Sequence, residues 1–231
     1  TFLYRLLMSD ETDSAGSTLP YTPDKDSAAS RGGGALAPQS KLGPYRIIGV
    51  LGRGGSAFVY HAADQDGGGV ALKVMDETPG LPPSIFQRFR REAEASKILR
   101  RHPNIVTVYS TGCEGRSHYI AMELVPGGGN LEERMREAPI KVIEALQLAI
   151  DIADALLYAH EQGIVHRDLK ASNVLLSEFH KPLLADFGLA HIETETSMTL
   201  SQMTIGTPQY MSPEQTVSAK VDHRSDLYSF G

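Results

Sequence analysis

The 231-residue chain has no tryptophan, one cysteine, and only 7% aromatic residues. The lone Cys113 excludes an internal disulfide and fits a reducing, cytoplasmic setting. Long apolar runs are also missing. None approaches the roughly 20 residues that a helix needs to cross a bilayer, and the apolar opening at 2–8 is too short and badly flanked for a secretion signal. A basic excess is lacking too: the net charge of -6 gives no support for a nucleic-acid partner. The remainder, 41% hydrophobic and 22% charged, is ordinary for a globular protein and enough for one domain or two small lobes.

Large apolar side chains are nearly absent from 9–43, where Ser, Thr, Gly, Pro and Asp dominate. Such a stretch cannot bury enough surface to offset its ordering entropy, so residues 1–43 are expected to form a disordered tail. Beyond it, 45–52 and 57–63 read as strands joined by a glycine-rich turn, and 70–74 as a third strand. Ser84-Ile85-Phe86-Gln87 has the form of a capping box opening a helix to about Arg100. Strands near 105–111 and 117–122 would complete a five-stranded antiparallel sheet with one helix, in a lobe spanning 44–125. After Pro126-Gly127-Gly128-Gly129 the pattern turns helical through 126–231. Between Val142 and Tyr158 the polar residues Glu144, Gln147, Asp151 and Asp154 make one narrow stripe, which predicts a largely buried helix. The lobes meet at 123–129, and a cleft between lobes is a common ligand site.

The strongest chemical signal is His166-Arg167-Asp168-Leu169-Lys170-Ala171-Ser172-Asn173 followed by Asp186-Phe187-Gly188, with strand-like 174–176 and 183–185 between them. Two carboxylates, an amide and a lysine on the loops of one hairpin are what phosphoryl transfer from Mg-ATP requires. Asp168 would orient the acceptor hydroxyl and take its proton, Lys170 would neutralise the γ-phosphate, and Asn173 and Asp186 would hold magnesium.

Upstream lies Gly52-Arg53-Gly54-Gly55-Ser56-Ala57-Phe58-Val59. Glycines let a backbone approach phosphate oxygens and offer N–H groups to them. A plain hairpin turn has the same composition. A dinucleotide fold needs a helix straight after the glycines, whereas Phe58 and Tyr60 alternate like a strand. A Walker loop is excluded because no Gly-Lys-Ser/Thr follows. Lys73 ends Val70-Ala71-Leu72-Lys73, and a half-buried ammonium there needs an anionic partner. Phosphates would serve, as would a carboxylate from the helix, Glu92 or else Glu94; the other of the two is then an exposed helix charge.

From about Tyr45 onward the chain resembles the serine/threonine protein kinase family, especially its bacterial branch, whose activation-segment wording is similar to Gly206-Thr207-Pro208-Gln209-Tyr210-Met211-Ser212-Pro213-Glu214-Gln215. The resemblance implies an α+β, two-lobed fold, Mg-ATP as donor and protein Ser/Thr as acceptor. It implies a nucleotide cleft lined by Leu51, Gly52, Gly54, Val59, Ala71 and Lys73, with Met122 guarding a back pocket and 123–125, from Glu123 to Val125, as the hinge. Phe187 would pack beneath the helix bearing Glu92. It further implies autophosphorylation by self-association at Thr199, Ser201 or Thr204, Arg167 as a partner for the added phosphate, Thr207 facing the catalytic loop, and Asp226 anchoring that loop. The family's last helices have no counterpart before Gly231, including an arginine for Glu214. An unpaired Glu214 and an open helical face are expected to leave the chain poorly stable or poorly active. The competing readings are a kinase-like module that binds nucleotide or a partner without catalysis, and a kinase of small molecules.

Overall fold

The computed structural model describes residues 35–54, 57–77, 83–127, 129–187, 208–217 and 221–231. The amino-terminal part is an antiparallel sheet of six strands: β1 (Lys41–Leu42), β2 (Tyr45–Arg53), β3 (Phe58–Ala63), β4 (Gly69–Asp76), β5 (Val108–Glu114) and β6 (Ser117–Glu123), in the order β1-β2-β3-β4-β6-β5. Alternation drives the sheet: Tyr45 and Ile47 point inward from β2, while Arg46 and Ile48 point to solvent. Tyr60, Leu72 and Tyr119 join them in one core on that face. The opposite face carries α1 (Pro83–Ile98), whose Phe89 and Ala93 pack with Met75, Val108 and Ile120.

Beyond β6 come α2 (Leu131–Glu137), α3 (Val142–Glu161), a 3-10 turn at Ala171–Asn173, the hairpin β7 (Val174–Leu176) and β8 (Pro182–Leu184), a second 3-10 turn at Pro208–Tyr210, α4 (Pro213–Thr216) and α5 (His223–Phe230). Asn130 caps α2 by accepting from the Glu133 N–H, while Glu133 reaches back to the Asn130 N–H, both at 3.0 Å. Leu148, Ile152 and Leu156 of α3 form a second core with Leu131, Val174 and Leu184.

Five expectations change. The tail does not extend to Gly43: β1 pairs with β2, Leu42 is buried, and Leu36 donates its N–H to the Tyr60 hydroxyl at 2.9 Å. The sheet therefore has six strands rather than five. Ser84 is not the cap of α1, which starts one residue earlier on Pro83, a residue suited to the first helical position because it lacks an N–H. Ile105 belongs to neither β5 nor the sheet. It bridges in parallel to Leu184, with the Val106 N–H on the Leu184 carbonyl at 2.9 Å and the Leu184 N–H on the Asn104 carbonyl at 2.8 Å. The helix α3 is only half buried: Ala145, Leu148, Ala149, Ile152, Ala155, Leu156 and Ala159 face inward, but Ile143 is 83% exposed and Leu146, Ile150 and Leu157 are exposed with it. A narrow polar stripe marked one surface strip and said nothing about what covers the remaining apolar face.

Replacing Leu42 by Ala is expected to lower stability by about 2 kcal/mol in urea unfolding, from lost burial and the cavity left behind. A loss below about 0.5 kcal/mol would show that β1 adds nothing to the fold.

Candidate active site

The site is built on the β7–β8 hairpin. Its open end sets Asn173 beside Ala185, whose N–H donates to the Asn173 carbonyl at 2.9 Å, so Asn173 and Asp186 stand next to each other in space. Two residues here occupy the left-handed region without being glycine: Arg167 at φ 66° and Asp186 at φ 55°. Such conformations cost on the order of 1–3 kcal/mol each and persist where surrounding contacts over-determine them.

Those contacts are present at Arg167. The Asp226 carboxylate accepts the Arg167 N–H at 2.7 Å through Oδ1 and the His166 N–H at 2.8 Å through Oδ2, which also meets His160 Nε2 at 2.7 Å. Asp226 sits in the first turn of α5, where the helix dipole favours negative charge. Burial alone would push its carboxyl up; the His160 hydrogen bond, the neighbouring His166 and the two main-chain donors outweigh burial and hold it below the ordinary aspartate value. His166 is fully buried, with Nε2 on the Ala185 carbonyl at 3.1 Å and its ring 4.6 Å from that of Phe187. A carbonyl only accepts, so Nε2 bears the hydrogen and Nδ1 is left to accept the Asp168 N–H at 3.4 Å.

Asp168 gathers the other expected groups. Its Oδ2 accepts from Lys170 Nζ at 2.9 Å and from Asn173 Nδ2 at 3.0 Å, and Asn173 Nδ2 also reaches the Asp168 carbonyl at 2.8 Å. Among the described residues no hydrogen bond engages Asp168 Oδ1 or Asn173 Oδ1, so each retains one acceptor oxygen not used within the loop.

Lys73 on β4 stands opposite Val59 and Ile120 and crosses to the hairpin, placing Nζ 2.7 Å from Asp186 Oδ1. Its side chain is 16% exposed, so it is no solvated edge lysine. Glu94 is not its partner: that side chain is 66% exposed and pairs with Lys97 at 2.9 Å. The side chain of Glu92 lies outside the described residues. Phe187 shares a core with Ala95 of α1 and with Leu99 in the turn just after it, which places it beneath that helix.

The walls follow from the sheet register. Gly52 pairs with Val59, and Ala71 with Met122. The Gly54 N–H donates to the Ala57 carbonyl at 2.8 Å and closes the turn; Gly55 and Ser56 lie outside the described residues. A Cβ on Gly52 would meet nothing within 4 Å, and its φ is not positive. Among the described residues neither packing nor conformation demands glycine there. Leu51 presents an exposed apolar side chain, while Val59 and Val125 are half-buried. Met122, Val106, Leu184, Asp186 and Phe187 line a small cavity behind the sheet. At Glu123 the chain is fixed to Thr107, whose carbonyl accepts the Glu123 N–H at 2.8 Å and whose N–H donates to the Glu123 carboxylate at 3.2 Å.

Among the described residues no cluster of three or more His, Cys, Asp or Glu could hold a metal on its own. One carboxylate, Asp186, and one carboxamide oxygen, Asn173 Oδ1, suit magnesium, a hard cation that completes its shell with phosphate oxygens and water. The residues present fit that group.

Glu214 is not unpaired: it accepts from the Ser225 hydroxyl, and that bond, first among its causes, lowers its pKa. Sequence reasoning missed His160 and Gln215, whose Nε2 donates to the Arg167 carbonyl at 2.6 Å. A single histidine near a helix end carries no spacing signal, whereas Ser212-Pro213-Glu214-Gln215 has the legible form of a capping box. Gly188, Thr199, Ser201, Thr204 and Thr207 lie outside the described residues.

Residues 45–231 match the family model described as the protein kinase domain. The chain belongs to the protein kinase family. It is 43% identical over 202 residues to a probable serine/threonine-protein kinase of Streptomyces coelicolor, covering 84% of this chain and 30% of that protein. It is 39% identical over 196 residues to the serine/threonine-protein kinase PknB of Mycobacterium leprae, covering 81% and 31%. The chain thus spans about a third of the length of these relatives. The crystal structure of the Mycobacterium tuberculosis PknI kinase domain superposes with a TM-score of 0.66 at 32% identity, covering 85% of this chain and 72% of that one. The fold is accordingly the α+β, two-lobed kinase fold, and its kinship is with bacterial serine/threonine kinases.

Because the folded Asp226 pKa is lowered, its contribution is full above the unfolded aspartate value of about 3.9 and is lost as pH falls through the lower folded value. Asp226→Asn is expected to cost about 2–3 kcal/mol at neutral pH. The gap to the parent protein should begin to close as pH falls below about 4 and close further as pH passes through the lower folded value. A gap unchanged down to pH 2, followed by chemical denaturation, would remove the carboxylate's charge from the account.

Proposed function

We propose that the protein transfers the γ-phosphate of ATP to serine and threonine hydroxyls of protein substrates. The observation that carries this reading is the convergence of Lys73, Asp168, Lys170, Asn173 and Asp186 around one hairpin, joined by contacts of 2.7 to 3.0 Å. Asp168 Oδ1 receives the acceptor hydroxyl and takes its proton as the oxygen bonds to phosphorus and the bond to ADP breaks. Lys170, already on Asp168 Oδ2, lies where it can meet charge developing on the transferred group. Lys73 balances phosphate charge from the sheet side, Gly52 and Gly54 allow the backbone to approach the phosphates, and the wall from Leu51 through Val59, Ala71 and Met122 to 123–125 takes the base. Magnesium, when held by Asn173 and Asp186, neutralises charge on the phosphate oxygens.

A protein acceptor is favoured over a small molecule by the long segment between Asp186 and Ser212-Pro213-Glu214, which offers a platform. Phosphorylation at Thr199, Ser201 or Thr204, by self-association of two copies, would regulate it through Arg167. An ATP donor and a lone cysteine support a cytoplasmic setting for this activity.

With labelled ATP and a generic protein acceptor, Asp168→Asn is expected to lower kcat by about 10²–10⁴-fold while Mg-ATP still binds. Transfer undiminished in Asp168→Asn removes that residue from the chemistry. Mg-ATP binding without any turnover in the parent protein supports the non-catalytic reading, and label found on small molecules alone supports the third.

A further inference from the structure

The residue immediately before Asp168 is held at both of its main-chain polar groups. Asp226 takes the Arg167 N–H at 2.7 Å, and Gln215 Nε2 donates to the Arg167 carbonyl at 2.6 Å. Arg167 has φ 66°, a conformation that a non-glycine residue keeps only under such constraint. The Gln215 side chain is buried, and its other end is also committed: Oε1 accepts from the Ser212 N–H at 3.0 Å and from the Ser212 hydroxyl at 3.2 Å. One carboxamide therefore spans from the start of α4 to the loop bearing Asp168. Its bridging role needs a donor and an acceptor on a single planar group, a pairing that only an amide side chain of this length supplies.

The block to which Gln215 belongs is itself fixed to α5. Ser229 donates to the Tyr210 carbonyl at 2.7 Å, and the Ser225 hydroxyl donates to Glu214. The helix that presents Asp226 thus also seats α4 and the turn before it. On the reading of the site as a phosphotransferase, 208–217 is the stretch against which an acceptor protein would lie, following the long segment after Asp186. We infer that Gln215 is a positioning residue for Asp168, transmitting the placement of the segment at Ser212 to the base through the Arg167 carbonyl. It touches no reacting atom. Its effect is on where Asp168 stands relative to the acceptor hydroxyl, so it bears on turnover and not on nucleotide binding.

Glutamate separates this role from helix capping. Gln215→Glu keeps both acceptor bonds to Ser212, and glutamate is itself a favoured residue of a capping box, but it cannot donate to the Arg167 carbonyl and sets two oxygens face to face. The expected result is a fall in kcat for protein phosphorylation of about 10- to 100-fold, with the KM for Mg-ATP changed less than about twofold, and with no wholesale loss of folding by circular dichroism. A parent protein that transfers phosphate beside an equally active Gln215→Glu overturns the inference and leaves the proposed function standing. A parent protein that transfers nothing counts against the function, and amide hydrogen exchange then decides the inference. Exchange at Arg167 and Asp168 about tenfold faster in Gln215→Glu supports the clamp; unchanged exchange overturns it. Should the glutamate variant fail to fold, the neutral Gln215→Met is read by the same two measurements.

Discussion

A buried carboxylate, Asp226, receives the main-chain N–H groups of His166 and Arg167 at 2.8 and 2.7 Å and bends the chain just ahead of Asp168. Each further part of the site follows from that bend. It drives the His166 ring inward, where Nε2 meets the Ala185 carbonyl and the ring lies against Phe187, so the loop bearing Asp168 and the loop bearing Asp186 share one wedge. It turns the Asp168 side chain toward Lys170 and Asn173. Unpaired, a charge as buried as Asp226 would be costly. Its three donors are what make it tolerable, and in return they are fixed in space.

The two lobes are coupled by more than the chain that connects them. The stretch from Asn104 to Val106 pairs with β8, and Asn104 Nδ2 adds a bond to the Pro182 carbonyl at 2.8 Å. Leu99 and Ile105, upstream of the hinge, are buried in the core of the helical lobe. The small lobe is thereby seated on the same hairpin that carries Asn173 and Asp186, and Lys73 reaches Asp186 across the cleft from β4. The Asp186 side of the ion pair is open to solvent, which screens it and keeps its direct contribution to stability small. Its value is in placing an ammonium where phosphate charge would gather.

How far this could be read in advance depended on whether the contacts were local in sequence. Asp168, Lys170 and Asn173 fall within one short loop, so their spacing carried their geometry, and the alternation in 45–52 and 70–74 announced strands. Ile105 has the composition of a strand residue, and nothing local says that its partner is Leu184 and not β6. Lys41 and Leu42 lie in a polar, glycine-rich stretch, yet β2 supplies the ladder that orders them. Glu92 and Glu94 are two residues apart on one helix, and only the pairing of Glu94 with Lys97 removes it as a partner for Lys73. The outward face of α3 shows the same limit: periodicity identified a helix with little polar surface, but burial is set by what packs on it. Gln215 went unread, because its bond to a carbonyl 48 residues away in sequence belongs to tertiary structure alone.

The central claim is that these loops form one preorganised site for a metal-bound triphosphate, with Asn173 and Asp186 at the metal. Paramagnetic Mn2+ added with a non-hydrolysable ATP analogue to 15N-labelled protein tests it without relying on turnover. The account predicts selective broadening of the Asn173 side-chain amide and the Asp186 main-chain amide. Broadening that spares both, or that appears equally at the exposed carboxylates of Asp154 and Glu132, would contradict it.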